Sequence, residues 1–326
     1  MLYVNNGTSP RVTVQPGFHA LNERDGVWLD LLDPTDQERS MVERLTKLRV
    51  PAQADIAEIE SSSRLMAEGS ALYLSMPLTY RGKSTQASAV SPVGFVLSAN
   101  HLITVRFAEM SVFDTFAERF AVNAQTTSGG AFVGLLETMV DRLADVLEQT
   151  GADLADVSHR IFAEGSDTDG NSNKIDARLR ATLRTIGLIG DRLANIRDSL
   201  VGAQRIVNYV HDMSADWMDK TLVHRCSTLR ADLTSLMDYD AQLGNKVQFL
   251  LDATLGFINI EQNNGIKILT VVSVVGVPPT LVASIYGMNF KWIPELQWEY
   301  GYFYGLAVIL LSAVCPLIWF KKKGWI

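Results

Sequence analysis

Cysteine and histidine are scarce in this chain of 326 residues, and what little there is does not cluster. Cys226 stands in a charged stretch and Cys315 in an apolar one, which excludes a disulfide framework and a cysteine-built metal centre. The five histidines are scattered, so they offer no preformed cluster for Zn²⁺, and His159, His211 and His224 are read as surface or packing residues. Catalytic signatures are missing too. There is no phosphate-cradling G-x-x-x-x-G-K-[ST], no G-x-S-x-G and no H-E-x-x-H. Neither enzyme activity, a catalytic cofactor nor a nucleic-acid partner is expected.

No secretory leader is visible either: MLYVNNGTSPRVTV has neither a basic start nor an apolar stretch of the required length, so the large N-terminal part is expected in the cytosol. Proline is missing from about Ala215 until Pro278, and charge almost disappears from Ile266 onward. The overall balance, a net charge of -7 with 47% hydrophobic residues, suits one or two folded domains. That average conceals a soluble part followed by an apolar C-terminal part.

Two runs in the apolar part are long enough to cross a hydrocarbon core of about 30 Å. Ile266–Tyr286 carries a single charge, at its start. Tyr300–Phe320 carries none, with tyrosines at one end and Trp319 at the other, where interfacial aromatic rings belong. Lys321, Lys322 and Lys323 follow at once and form a basic tail over 321–326 that is expected on the cytosolic side. Two crossings return the chain to the side where it began, so both termini are expected in the cytosol and the loop 287–299 outside.

The soluble part divides by period. Strands are expected at Val27–Leu31, Ala71–Met76, Val93–Leu97 and His101–Arg106, with a capped helix starting in DPTDQE after the first. This predicts an α/β domain over 1–130. After Gly129-Gly130, Phe132, Leu135, Leu136, Met139, Val140, Leu143, Val146 and Leu147 recur at helical spacing, predicting a helix to about Ala163. A polar turn at Ser166–Asn173 and a second helix from about Ile175 to Val210 suggest an antiparallel hairpin within a helical region 131–265. One very long helix, on the order of 100 Å, is expected from about Ala215 through the first span. Its apolar stripe of Leu222, Leu229, Leu233, Leu236, Leu243, Val247, Leu250 and Leu251 looks too long to bury in one subunit, so partner helices are expected.

Two spans cannot enclose a pore, but a ring of subunits can, each contributing one span. Along the first span, Asn263, Ile266, Leu269, Ser273, Val277, Thr280 and Ser284 share one face and alternate polar with apolar groups. Such a face offers polar rings separated by hydrophobic constrictions; it equally suits helix packing through small residues. Pro278-Pro279 is expected to kink the helix. Gly287-Met288-Asn289 ends the span, where glycine allows an unusual backbone and Asn289 an uncharged carbonyl oxygen. A ring of those oxygens would suit hydrated Mg²⁺, which dehydrates reluctantly; Gly and Asn are also common helix caps. In the outer loop, Glu295 and Glu299 would concentrate cations, partly offset by Lys291. Asp212, Asp216, Asp219, Asp232, Asp238, Asp240 and Asp252 are candidate regulatory carboxylates or simply solvated helix faces.

GFINIEQN (Gly256–Asn263), VPPTLVAS (Val277–Ser284), YGMNF (Tyr286–Phe290), IPEL (Ile293–Leu296) and the final FKKKGWI occur in this order. In these motifs the sequence resembles the CorA family of magnesium transporters. The similarity is dense over about the last 75 residues and fainter in WLDLLDPT (Trp28–Thr35) and DIAEIESSSR (Asp55–Arg64). The resemblance implies an α+β membrane protein: a funnel-shaped homopentamer in the bacterial inner membrane, each subunit's first span lining the pore. It implies an outer selectivity site at Gly287, Met288 and Asn289, with Asn289 contacting hydrated Mg²⁺. Asn263 and Thr280 match polar pore rings, and Ile266, Leu269 and Val277 match hydrophobic gate positions.

The family also carries Co²⁺ and sometimes Ni²⁺, and cytosolic Mg²⁺ bound between subunits closes the pore. Lys291 stands where many relatives have an acid, and no regulatory carboxylate can be aligned. The related ZntB-type zinc transporters share the Gly-Met-Asn turn but usually lack the Pro-Glu-Leu loop found at Pro294–Leu296. The reading is membrane-potential-driven entry of Mg²⁺, with a zinc transporter or a non-conducting metal sensor as alternatives.

Overall fold

The structure, a computed structural model, describes residues 1–5, 12–14, 27–58, 64–81, 88–123, 127–163, 172–213, 218–288 and 293–325. Seven strands, β1 (Leu2–Asn5), β2 (Val12–Val14), β3 (Trp28–Leu32), β4 (Leu65–Glu68), β5 (Ala71–Arg81), β6 (Ser88–Leu97) and β7 (Leu102–Arg106), form one sheet in the order β2-β1-β3-β7-β6-β5-β4. All neighbours are antiparallel except β3 and β7, which run parallel with Trp28 beside Leu102 and Leu32 beside Arg106. The four strands expected from sequence are present. β5 and β6 extend beyond their expected limits, with Pro77 and Pro92 opposite each other in register. β1, β2 and β4 were not anticipated; each is only three or four residues long.

Both faces of the sheet are covered, which is why β7 is buried at every position. Alternation sends Leu29 and Leu31 into one core with Val42, Val50, Ile56, Ile103 and Val105, under α1 (Asp36–Thr46) and α2 (Gln53–Ala57). The same alternation sends Trp28 to the other face, where its ring meets Phe116 and Phe120 of α3 (Ser111–Asn123) at 5.0 and 5.8 Å. Helix α1 begins where its sequence signal lay. Thr35 caps it, the Thr35 amide donating to Glu38 Oε2 at 2.9 Å and the Glu38 amide to Thr35 Oγ1 at 3.3 Å. Burial pushes the Glu38 carboxyl up, but the Thr35 amide and the Met1 ammonium outweigh it and hold the group below its usual range.

Three helices follow: α4 (Ser128–Ala163), α5 (Ser172–Met213) and α6 (Lys220–Tyr286). The helix expected after Gly129-Gly130 starts at Ser128, whose hydroxyl donates to Ser98 O and Ala99 O. Residues 166–171 of the expected polar turn lie outside the described residues, while Ser172 and Asn173 are already helical. α4 and α6 run side by side through Glu137–Arg225 and the stacked Phe162–Phe249 pair. α5 opposes both, joined to α4 by Arg192–Asp153 and to α6 by Arg197–Asp240. α5 also reaches the sheet, where the Thr79 amide donates to Ser199 Oγ at 2.9 Å.

This bundle corrects one expectation. Leu229, Leu233, Leu243 and Leu250 are buried within the single subunit, because α4 and α5 cover that stripe. Those four leucines therefore give no argument for partner helices, whereas Leu222, Leu236, Val247 and Leu251 of the same stripe are only partly buried. Close contacts divide the chain into two units, Met1–Ser166 with Leu183–Leu250, and Asp167–Thr182 with Leu251–Ile326. The second unit holds the end of α6, a short 3₁₀ turn (Pro294–Gln297) and α7 (Gly301–Lys322).

Candidate functional site

Among the described residues, α6 and α7 are long and apolar enough to cross a membrane. Asn263, Ile266, Leu269, Ser273, Val277, Thr280 and Ser284 are all exposed along α6, with the apolar members Ile266, Leu269 and Val277 at 62, 68 and 63%. Half a turn round the same helix, Val271, Val275, Pro278, Pro279, Val282 and Tyr286 are only partly exposed. α7 carries a matching half-covered stripe at Gly301, Gly305, Val308, Ile309, Ser312, Ala313 and Pro316. A side-chain carbon at Gly305 would lie 4.0 Å from the Tyr286 ring. The second span therefore backs the first on the side away from the seven-residue face.

The chemistry of that face follows from local bonding. Thr280 Oγ1 donates to the Gly276 carbonyl at 2.8 Å, which engages its proton and leaves the oxygen as an acceptor. Pro278 and Pro279 have no N–H to give to the Val274 and Val275 carbonyls one turn earlier. The helix nevertheless continues through both prolines to Tyr286.

At the outer end, the Gly287 amide donates to Ala283 O at 3.0 Å and the Met288 amide to Ile285 O at 3.2 Å. Gly287 is not among the residues with positive φ, so the expected unusual backbone is not what its glycine provides. Met288 is half exposed, while Asn289, Phe290, Lys291 and Trp292 lie outside the described residues. Glu295 is partly buried in the 3₁₀ turn, its carbonyl receiving the Trp298 amide at 3.3 Å. That carbonyl also sits where a Gly301 side chain would be, which requires glycine at the start of α7. Trp298 then packs edge-on against Tyr304 at 5.6 Å.

The candidate regulatory carboxylates do not converge. Among the described residues no group of three or more His, Cys, Asp or Glu side chains could hold a metal ion. Asp219, Asp232, Asp238 and Asp252 are exposed, Asp212 lies 3.1 Å from the His211 ring, and Asp216 is outside the described residues. Asp240 differs: it is 3% exposed, with Oδ2 held by Arg197 at 2.8 Å and Oδ1 without a hydrogen-bond partner. Burial raises its pKa despite Arg197. Its sequence signal was a charge in step with the buried Leu233, Leu243 and Leu250. Cys226 is likewise buried and its thiol is pushed up to about 11, so it is inert packing at neutral pH.

The profile of the family described as CorA-like Mg²⁺ transporter protein matches residues 23–322. The chain belongs to that family. It is 33% identical over 303 residues to the magnesium transport protein CorA of Yersinia pseudotuberculosis, covering 92% of each chain. It is 32% identical over 326 residues to the Escherichia coli K12 protein of the same name, covering 99% of this chain and 98% of that one. The complete structure of the CorA magnesium transporter from Methanocaldococcus jannaschii superposes with a TM-score of 0.77 at 17% identity, covering 100% and 98% of the two chains. That likeness extends the CorA fold over both the N-terminal sheet domain and the helices of the apolar part.

Proposed function

We propose that the protein conducts Mg²⁺ into the cytosol through a homopentameric pore lined by the first span of each subunit. Magnesium transport is the activity for which the family is described. The observation that carries the pore reading is the seven-residue face of α6, exposed along its length while the opposite stripe is backed by α7. Five such faces around an axis place Asn263, Ser273, Thr280 and Ser284 as polar rings and Ile266, Leu269 and Val277 as apolar constrictions that gate by dewetting.

Gly287, Met288 and Asn289 form the outer selectivity site in this reading, the Asn289 amide oxygens accepting from the water shell of Mg²⁺. Glu295 and Glu299 raise the cation concentration at the outer mouth. The protein lies in a bacterial inner membrane with both termini cytosolic. An inward-negative potential favours entry by about 2.3 kcal/mol per charge for each 100 mV, twice that for a divalent ion, so no nucleotide is needed. Co²⁺ and Ni²⁺ are further cargo. Cytosolic Mg²⁺ bound by carboxylates between neighbouring subunits closes the pore.

The test is Mg²⁺ uptake into liposomes carrying the purified protein, with a Mg²⁺-sensitive dye inside and an imposed inward-negative potential. Entry by the wild type that Asn289→Ala abolishes is the expected result. Zn²⁺ entry without Mg²⁺ entry would overturn the magnesium assignment, and no flux of either ion would make the protein a non-conducting sensor.

A further inference from the structure

The chain after α7 is shaped by one glycine. Gly324 holds φ +69°, the left-handed region that glycine enters without a side-chain penalty. The Lys323 amide donates to Trp319 O and the Trp325 amide to Phe320 O, both at 3.1 Å, the bonding of a helix C-cap that reverses the chain. Trp325 consequently stacks on Phe320 at 5.4 Å and 26°. It also forms one wall of a shallow groove of about 410 Å³ whose other wall belongs to α6: Asn263, Asn264, Ile266, Lys267 and Thr270.

The groove's chemistry is that of a phosphate site with an apolar edge. Lys267 supplies a cation and Asn264 an amide donor, Asn263 and Ile266 border the groove from the edge of the seven-residue face, and among the described residues no carboxylate lines it. Lys321 and Lys322 are exposed beside it in sequence, and the Lys323 ammonium lies 4.8 Å from the Trp319 ring. Ile260, also lining the groove, is 57% exposed and supplies apolar surface opposite Trp325 on the α6 wall. Asn264 and Lys267 stand on the flank turned from the centre of the seven-residue face, so a ligand there need not enter the ion path. The groove sits where the start of one span meets the end of the other, the level of the cytosolic headgroups if both spans cross as proposed.

We infer that this groove binds the headgroup of an anionic phospholipid of the cytosolic leaflet. Lys267 pairs with the phosphate, the Asn264 amide donates to its oxygens, and Trp325 covers the glycerol region as interfacial tryptophans do. Basic pockets between membrane helices on the cytosolic side recognise such headgroups. The inference rests on the membrane-spanning reading above but not on conduction.

The experiment is native mass spectrometry of the full-length protein released from micelles containing equal phosphatidylglycerol and phosphatidylcholine of the same acyl length. Wild type is expected to retain phosphatidylglycerol several-fold over phosphatidylcholine. Lys267→Gln should lose that preference, while Lys267→Arg and the soluble-domain control Lys246→Gln keep it, each checked for an intact assembly by its mass. Equal retention of the two lipids by wild type, or an unchanged preference in Lys267→Gln, overturns the site. Displacement of the lipid by millimolar inorganic phosphate would show a general anion site instead and also overturn it. Lipid retention is read independently of ion flux, so a failed uptake assay would count against the pore and leave this result standing.

Discussion

Thr280 and Gly276 are joined by a hydrogen bond of 2.8 Å, hydroxyl to carbonyl, on the exposed face of α6 just beyond the proline pair. The bond orients the Thr280 oxygen so that its remaining lone pairs are available to solvent or ion. Thr280→Val keeps the shape and removes those lone pairs. Potential-driven Mg²⁺ uptake is expected to fall about tenfold, the equivalent of one hydrogen bond of about 1.4 kcal/mol, with Thr280→Ser close to wild type. Equal uptake by all three proteins would remove Thr280 from the ion path.

Gly287 offers a separation of structure from transport. Its amide continues the helical ladder to Ala283 and its φ is not positive, so alanine needs no left-handed backbone there, but its side-chain carbon would lie 3.3 Å from the Ala283 carbonyl oxygen. The propensity gain and this close contact oppose each other, so Gly287→Ala should change thermal stability by no more than about 1 kcal/mol. Five added methyl groups at the mouth should nonetheless reduce uptake. Destabilisation together with unchanged uptake would mean that Gly287 serves the helix end alone.

In the sheet domain, Asp30 and Arg106 pair at 2.9 Å with side chains 0 and 2% exposed. Thr104 Oγ1 donates to Asp30 Oδ1 at 2.8 Å, and the Arg106 guanidinium lies 4.5 Å from the Phe113 ring centre. Arg106→Met leaves a buried carboxylate without its counter-charge and is expected to cost about 3–5 kcal/mol in denaturation of the detergent-solubilised protein. Combining it with Asp30→Leu should recover much of that loss, since the neutral pair buries no charge. A single-variant cost below about 1 kcal/mol would contradict the burial of the pair.

Asp240 gives the bundle a pH dependence of known sign. Its folded pKa is raised, first by burial, so between the ordinary carboxylate value and that raised value the folded chain binds the proton more readily than the unfolded chain. Stability from this group therefore falls as pH rises through the window and recovers as pH is lowered. Relative to Asp240→Asn, the wild type should gain stability as pH falls from neutral towards the carboxylate range. Thermal midpoints of the two proteins across that range give the comparison; a difference that is flat, or runs the other way, would refute the shift.

Elements governed by near neighbours were legible in the chain itself. The two apolar runs, the Thr35–Glu38 cap and the helical period after Gly130 depend on residues within a turn or two of one another, and each is present in the structure. β1, β2 and β4 were not legible, because three or four residues carry too little alternation and take their strand form from the neighbour they pair with. Asp240 could be seen as out of place in an apolar stripe, but not its partner Arg197, 43 residues earlier.

The same division holds at the functional face. Helical period alone aligned Asn263 with Ser284, because that spacing is a property of any α-helix. Which side of α6 stays open was decided only when α7 folded back against Tyr286, and which leucines of its N-terminal half are covered was decided by α4 and α5. Burial is a relation between segments distant in the chain, and a one-dimensional pattern names the face without naming what covers it.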